Sequence, residues 1–204
     1  MTKHLTSIYK GEDSFTRLAK SKGYRSRSSI KLLEIHKKDK IFKRGMNIAD
    51  LGSYPGGWSQ VSIRLVGQKG TVISLDPKKM QHIEGACFIN KKLENFSVKD
   101  LPCFLAKNTL PFDIVLSDIA PKLSGIIDRD DSLMIGLLDK VITFCDSHLK
   151  KGGTALVKVF QGESMEFARN YMKSNFERVR IRKPRASRAN SKESYLLGSG
   201  YKKR

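Results

Sequence analysis

A glycine-containing turn after the first buried apolar run could bring the backbone close to a bound ligand. The run Asn47–Leu51 ends at Gly52 and leads through Pro55-Gly56-Gly57 into Trp58–Val66, which has a helical pattern. Asp76 closes the next apolar run, 24 positions after Gly52. In nucleotide-binding α/β folds an acidic side chain at this distance accepts hydrogen bonds from ribose hydroxyls. Together the two features predict a nucleoside pocket, although a structural turn and a helix-capping aspartate would explain either feature alone.

Other cofactor and metal sites are disfavoured by spacing. The turn lacks the GxGxxG pattern that seats a dinucleotide pyrophosphate, and no P-loop Lys-Ser/Thr ending is present, so NAD is not expected. The histidines are far apart and the cysteines form no CxxC pair, so no metal is expected and the cysteines are predicted to be free thiols of a reducing cytosol. These residues are His4, His36, His82 and His148, and Cys87, Cys103 and Cys145.

The elements that would position such a pocket alternate along the chain as short apolar runs and helical patterns, which is typical of a parallel sheet covered by helices. The predicted strands are Asn47–Leu51, Thr71–Leu75, Cys87–Asn90, Asp113–Ser117, Thr154–Val159, Arg178–Arg182 and Ser194–Gly198. The clearest helix is predicted over Asp131–Leu149, with Gly152-Gly153 suiting its C-cap, and a second over Ser164–Asn175. This pattern predicts an α/β fold with a doubly wound, mostly parallel seven-stranded sheet that binds ligands at the carboxyl ends of its strands.

Length and charge suggest one basic domain. A chain of 204 residues with 39% hydrophobic content fits a single α/β domain, and no apolar run long enough for a membrane span or a signal peptide is seen, so a soluble cytoplasmic protein is expected. The net charge is +19. Two basic ends contribute +9 each: an N-terminal arm at residues 1–44 and a C-terminal segment at 178–204. The core at 45–177 is nearly neutral.

Such charge at the two ends predicts a polyanionic partner, and nucleic acid is favoured. A solvated face that only aids solubility is the simpler alternative. An anionic membrane is less favoured because the basic stretches lack a clean apolar helical face.

Five segments resemble motifs of the RrmJ/FtsJ family of RNA ribose 2′-O-methyltransferases. The cofactor loop is similar to Asp50-Leu51-Gly52-Ser53-Tyr54-Pro55-Gly56-Gly57-Trp58-Ser59-Gln60. The others are Ser26 to Leu32, Leu116 to Pro121, Val157 to Gly162, and Lys183-Pro184 through Ser187-Arg188 to Glu193-Ser194-Tyr195. The resemblance runs from about Tyr24 to Gly198 in the family's order.

This resemblance implies a Rossmann-like methyltransferase fold with S-adenosylmethionine as methyl donor. It places cofactor contacts at Gly52, Gly56, Trp58, Asp76 and Asp118. It also implies a catalytic tetrad, which falls on Lys31, Asp118, Lys158 and Glu193.

Within that tetrad Lys158 is expected to be the general base and Asp118 its orienting group, with Lys31 and Glu193 supporting or positioning the substrate. A lysine is ordinarily protonated at neutral pH, and a nearby cation and partial burial favour the uncharged amine, whereas carboxylates oppose this. Proximity and alignment are expected to carry much of the catalysis.

The sequence departs from the family pattern in two places. Ser53-Tyr54 stands where small residues are usual. Lys92 stands where the family commonly has an aspartate near the adenine amino group. Because a lysine cannot accept that hydrogen bond, recognition of adenine is expected to fall to backbone or to Glu94.

The expected substrate is RNA, contacted at its phosphates by Arg25, Arg27, Lys183, Arg185 and Arg188 in a salt-dependent manner. The compact length resembles the bacterial branch, which methylates a uridine of 23S large-subunit ribosomal RNA within the 50S subunit. A monomer is expected. The alternatives are a transfer RNA or messenger RNA cap ribose methyltransferase, and a non-catalytic RNA-binding factor of ribosome assembly.

Overall fold

A single seven-stranded sheet forms the centre of the computed structural model, which describes residues 13–102, 105, 110–188 and 191–202. The strands are β1 (Asn47–Leu51), β2 (Thr71–Leu75), β3 (Ala86–Ile89), β4 (Phe112–Ser117), β5 (Leu149–Phe160), β6 (Phe176–Arg182) and β7 (Glu193–Tyr201). Their order is β3-β2-β1-β4-β5-β7-β6. The pairs among β1 to β5 are parallel, and β7 runs antiparallel to both of its neighbours. The predicted mostly parallel sheet is therefore confirmed.

Helices cover both faces of this sheet. They are α1 (Ser14–Ser21), α2 (Ser28–Asp39), α3 (Gly57–Val66), α4 (Ile127–His148) and α5 (Glu163–Asn175), with short 3-10 turns at Leu93–Asn95 and Val98–Asp100. Strand side chains alternate between the faces. Thus Ile114 and Leu116 pack with α1, α2 and α3, whereas Val115 between them packs with α4 and α5. Each such fully buried side chain contributes about 1.5–3 kcal/mol of burial free energy.

The end of α4 differs from the sequence prediction. The helix begins at Ile127 and ends at His148, and residues 150–153 belong to β5 instead of capping the helix. Leu149 has extended backbone, is fully buried and pairs with Phe112 on β4. Because burial of Leu149 starts the strand at once, Gly152, with φ +77°, lies within a strand whose register shifts between Phe112 and Ile114.

The strand order reverses between β1 and β4, and this reversal locates the ligand-binding edge. Ser117 on β4 pairs with Leu51 on β1 and with Val157 on β5. The next residues along two of these strands, Asp118 and Lys158, therefore lie at the same level of the carboxyl edge. The sequence places its chemistry-bearing residues just beyond this edge.

Cys87 and Cys145 are free thiols, whereas Cys103 and His4 lie outside the described residues. Across the described parts of the chain, no helix is both long and apolar enough to cross a membrane.

Candidate active site

Four charged side chains meet at the carboxyl edge of β4 and β5. Lys158 Nζ lies 2.8 Å from Asp118 Oδ1 and 3.6 Å from Glu193 Oε2, and it donates a 3.0 Å hydrogen bond to the Asp118 carbonyl. Lys31 Nζ lies 2.5 Å from Glu193 Oε1. The structure therefore assembles all four residues of the expected tetrad into one alternating chain of ammonium and carboxylate groups.

Different parts of the chain hold these groups in place. Lys31 comes from α2, Lys158 from β5 and Glu193 from the first position of β7, and all three are buried. Ser187 Oγ donates to Glu193 Oε1 over 3.1 Å. Burial alone would raise the pKa of Glu193, but the charges of Lys158 and Lys31 outweigh it and hold that pKa below its usual value. Glu193 therefore remains a carboxylate that can bind both ammonium groups.

Tyr195 joins the two carboxylates and was given no role by the sequence analysis. Its hydroxyl lies 2.8 Å from Asp118 Oδ1 and 3.1 Å from Glu193 Oε1, and its single proton can be donated to either. Burial, and then these two carboxylates, raise the pKa of Tyr195 well above its usual value. Tyr195 follows Glu193 by two positions on β7, and it lies opposite Lys158 on the neighbouring strand β5. This period-two placement on one face was the available signal in the sequence.

A cavity of about 570 Å³ opens beside the tetrad. Its walls come from the loops after β1, β2, β3 and β4 and from α4. They include the predicted cofactor residues Gly52, Asp76 and Asp118. The remaining lining residues are Tyr54, Leu75, Pro77, Lys78, Lys91, Lys92, Leu93, Glu94, Ile119, Ala120, Leu137 and Lys140. Asp118 belongs both to this cavity and to the tetrad, so the two sites share a wall.

Backbone hydrogen bonds fix the Asp76 carboxylate at the cavity. Its Oδ2 accepts from the Tyr54 amide over 3.0 Å and its Oδ1 from the Lys78 amide over 2.7 Å. Each carboxylate oxygen can accept a second hydrogen bond. Gly52 has φ +71°, and a Cβ there would lie 2.3 Å from Ile119 Cγ1. Glycine is therefore required for the loop to pass this close to the β4 end.

Asp50 lies fully buried behind the glycine loop. Ser59 Oγ donates to its Oδ2 over 2.6 Å, while its Oδ1 has no hydrogen-bond partner among the described residues. Burial raises the pKa of Asp50 to about 7, against the opposing hydrogen bond from Ser59 and with added repulsion from Asp118 and Asp76. The floor of the site therefore contains a carboxyl group that titrates near neutral pH.

Two predicted cofactor residues lie outside the cavity lining. Gly56 has φ +104°, and a Cβ there would lie 2.3 Å from Ile83 Cδ1, so it serves the packing of the loop. Trp58 is buried, donates from Nε1 to the Ser28 carbonyl over 2.8 Å, and packs against Tyr195 with ring centroids 5.6 Å apart. Trp58 thus supports the tetrad from the core and does not reach the cavity.

Glu94, the side chain expected to take part in adenine recognition, contributes to the cavity wall, as does Lys92, which departs from the family pattern. Glu94 pairs with Lys140 over 3.0 Å, and its own backbone and this lysine hold the pKa of its carboxyl below the usual value. Lys78 lies 3.8 Å from the centre of the Tyr54 ring, a cation–π contact that places the bulky Tyr54 at the cavity mouth.

The five arginines and lysines expected to contact RNA fall into two groups. Arg25 donates to the carbonyls of Pro55, Gln81 and His82 and so ties loops together. Arg27 bonds Asp13 and the Ala186 carbonyl. The second group is exposed to solvent and consists of Lys183, Arg185 and Arg188. No cluster of three or more metal-ligating side chains occurs in the described parts of the chain.

The doubly wound fold and this site define an α/β enzyme with a nucleoside-sized cavity next to a buried lysine and its carboxylates. A profile of the FtsJ-like methyltransferase family matches residues 24–201. The chain belongs to this family and is a methyltransferase.

Individual relatives match along most of their length. The ribosomal RNA large subunit methyltransferase E of Nitrosomonas eutropha is 44% identical over 187 residues, which cover 91% of this chain and 90% of the relative. The protein of the same name from Coxiella burnetii is 42% identical over 199 residues, covering 95% and 94%. A crystal structure from Plasmodium falciparum, provisionally named a ribosomal RNA methyltransferase, is 30% identical with a TM-score of 0.76 and covers 89% of this chain and 100% of that one.

Proposed function

We propose that the protein transfers a methyl group from S-adenosylmethionine to a ribose 2′-hydroxyl of RNA. The observation that carries this proposal is the position of Asp118, which lines the cavity and also holds Lys158 Nζ at 2.8 Å. A donor bound in the cavity and a hydroxyl deprotonated by Lys158 would therefore meet at one carboxylate. This arrangement suits the transfer of a small group to an alcohol.

The cavity residues fit S-adenosylmethionine. A volume of about 570 Å³ is within the usual range for small-molecule sites. Asp76, with both carboxylate oxygens fixed by amides, would accept hydrogen bonds from the ribose hydroxyls. Gly52 would allow close approach of the backbone, and Lys92 and Glu94 would lie at the adenine. When bound, the cofactor supplies an electrophilic methyl group.

In the proposed mechanism Lys158 Nζ takes the proton of the 2′-hydroxyl. Asp118 orients Lys158 through its side chain and its carbonyl, so that the free lone pair of the neutral amine is aimed at the substrate. Glu193 contacts the amino groups of both Lys31 and Lys158 and so fixes Lys31 beside the proposed base. Tyr195 holds the two carboxylates at a fixed separation.

The proposed substrate is a uridine of large-subunit ribosomal RNA within the 50S subunit. The names of the relatives from Nitrosomonas and Coxiella, and the resemblance to the bacterial branch of the RrmJ/FtsJ family, support this assignment. The net charge of +19 supports an RNA partner. Transfer RNA, messenger RNA cap and a non-catalytic role in ribosome assembly are the alternatives to be separated by experiment.

The test is methyl transfer from labelled S-adenosylmethionine to large ribosomal subunits, naked ribosomal RNA and transfer RNA. We expect label on a ribose of the large-subunit RNA, located by nuclease digestion and mass spectrometry. Lys158→Ala should reduce the rate by about 10²–10⁴-fold, the usual contribution of a general base. Lys158→Arg keeps the positive charge but stays protonated, so it should be as inactive as Lys158→Ala.

The outcomes separate the alternatives. Label on transfer RNA alone would reassign the substrate. Binding of both S-adenosylmethionine and RNA without transfer to any RNA would overturn the enzymatic proposal in favour of a binding factor. Full activity of Lys158→Arg would remove Lys158 from the role of base and leave catalysis to alignment.

A further inference from the structure

We propose that a basic cleft between α2 and the segment that follows β6 binds the backbone phosphates of the RNA strand that continues from the target nucleotide. This inference rests on the proposed RNA substrate. The cleft has a volume of about 610 Å³ and is separate from the cofactor cavity. It is lined by Glu34, Ile35, Lys37, Lys38, Ile181, Arg182, Lys183, Pro184 and Arg185.

Two contacts join the walls of the cleft and fix the distance between them before any ligand binds. Glu34 Oε2 accepts a 2.7 Å hydrogen bond from the Arg185 amide and so ties the segment after β6 to the middle of α2. At the end of the same helix, Asp39 binds the Arg182 guanidinium through two bonds of 2.5 Å and 2.6 Å. A preformed cleft avoids the cost of ordering its walls on binding.

The charge of the cleft favours a polyanion. Five of its lining residues are basic and only Glu34 is acidic. Arg182 is neutralised by Asp39, but within the described residues the side chains of Lys37, Lys38, Lys183 and Arg185 make no ion pair, and all four are exposed. Four uncompensated cations on two facing walls match a run of phosphates.

The two elements that wall the cleft also carry a tetrad residue or a residue that contacts one. Lys38 follows Lys31 by seven residues on α2, so the two lie on nearly the same side of the helix about 10 Å apart along its axis. On the other wall, the segment that carries Lys183 and Arg185 reaches Ser187, which donates to Glu193. A strand whose ribose lies at Lys158 would therefore run along α2 into the cleft.

The experiment compares the full-length protein with Lys38→Ala/Lys183→Ala, which removes one cation from each wall. The matched control is Lys69→Ala/Lys151→Ala, two exposed lysines at the opposite, amino-terminal edge of the parallel strands. Binding of a short fluorescein-labelled single-stranded oligoribonucleotide is measured by anisotropy across a series of NaCl concentrations. Binding of S-adenosylmethionine, measured by calorimetry, checks that each variant is folded.

We expect the cleft variant to bind the RNA about tenfold more weakly or worse at low salt, with a log Kd against log salt slope reduced by about 1.4 for two lost single-strand phosphate contacts. In methyl transfer its KM for RNA should rise while kcat stays unchanged. The control should match the unaltered protein. Equal affinity and slope in the two variants would overturn the assignment, as would displacement of the RNA by polyglutamate at equal charge concentration.

Failure of this inference can be told from failure of the proposed function. The salt series measures RNA binding with no need for methyl transfer. An unaltered protein that binds RNA through the cleft but transfers no methyl group would support the cleft and overturn the proposed activity. Methyl transfer by Lys38→Ala/Lys183→Ala with an unchanged KM for RNA would support the proposed activity and overturn the cleft.

Discussion

The Lys31 ammonium and the Glu193 carboxylate lie 2.5 Å apart although 162 residues separate them in the chain. Lys31 belongs to α2, before the first strand, and Glu193 begins the last strand in the sequence. The two basic ends of the chain therefore meet at the candidate active site. The tetrad is complete only when both have docked on the central sheet.

This pair should couple the stability of the two ends. Glu193→Gln leaves the buried Lys31 without its carboxylate, which should cost about 3 kcal/mol, whereas the loss in Lys31→Met should be smaller because Glu193 keeps Lys158. The double variant removes both charges, so it should be more stable than the sum of the single effects, with a coupling of about 1–3 kcal/mol. Urea denaturation of the four proteins measures this cycle. Additive single effects would show that the 2.5 Å contact contributes no net stability.

Tyr195→Phe should lower stability more than activity. The change removes the hydroxyl between Asp118 and Glu193 and keeps the ring against Trp58, so a loss of about 1.5–3 kcal/mol is expected for a hydrogen bond to a charged group. Lys158 and Lys31 still hold both carboxylates, so the rate of methyl transfer should fall tenfold or less. A tenfold fall corresponds to about 1.4 kcal/mol of activation free energy. Tyr201→Phe, which removes a 2.6 Å bond to Asp146, is the control for stability without change of rate. Equal rate losses in the two variants would contradict a positioning role for Tyr195.

Gly52→Ala should weaken binding of S-adenosylmethionine as well as the fold. The added Cβ would overlap Ile119 Cγ1 at 2.3 Å, and φ +71° adds about 1–2 kcal/mol of backbone strain. Gly152→Ala, at φ +77° with no atom within 4 Å, isolates the strain from the overlap. Thermal unfolding and calorimetric titration should show a larger stability loss for Gly52→Ala and an affinity loss for it alone. The double variant Gly52→Ala/Ile119→Ala should be more stable than Gly52→Ala alone. If it is not, the overlap with Ile119 is not the cause of the loss.

The sheet was predictable because its strands are short apolar runs bounded by turn residues, and Asn47–Leu51 and Thr71–Leu75 have the predicted bounds. The end of α4 was not, because the two glycines at 152–153 suit a helix cap and an irregular strand equally well, and only the pairing of Leu149 with Phe112 decides between them. In the site, motif order located the tetrad. The direction of the Trp58 indole could not be predicted from its position after the glycines; its Nε1 donates to the Ser28 carbonyl, and its contact with the cofactor stays a prediction.

Lys92→Asp should strengthen binding of S-adenosylmethionine. Lys92 lines the cavity where the family commonly has an aspartate near the adenine amino group, and a carboxylate would accept a hydrogen bond that the ammonium cannot. One such bond is worth about 1 kcal/mol or more, so affinity should rise about fivefold or more. Lys79→Asp makes the same change of charge at an exposed residue outside the cavity lining and is the control in calorimetric titration. Equal gains in both variants would attribute the effect to net charge and leave adenine recognition to other groups.

Asp50→Asn should stabilise the protein at alkaline pH and much less at acidic pH. Burial raises the pKa of Asp50 from 3.8 to about 7, so between these values the folded state keeps a proton that the unfolded state releases. The contribution of Asp50 to stability therefore falls as pH rises through this window and becomes constant above it. Asparagine has no such proton and can still accept the Ser59 hydrogen bond.

The difference in unfolding free energy between the Asp50→Asn variant and the unaltered protein should grow by roughly 3 kcal/mol from pH 5 to pH 8, because each pKa unit corresponds to about 1.4 kcal/mol. Urea denaturation at several pH values measures this difference, in which all other titrating groups cancel. Parallel stability curves would mean that Asp50 does not change its charge over this range and would contradict the prediction.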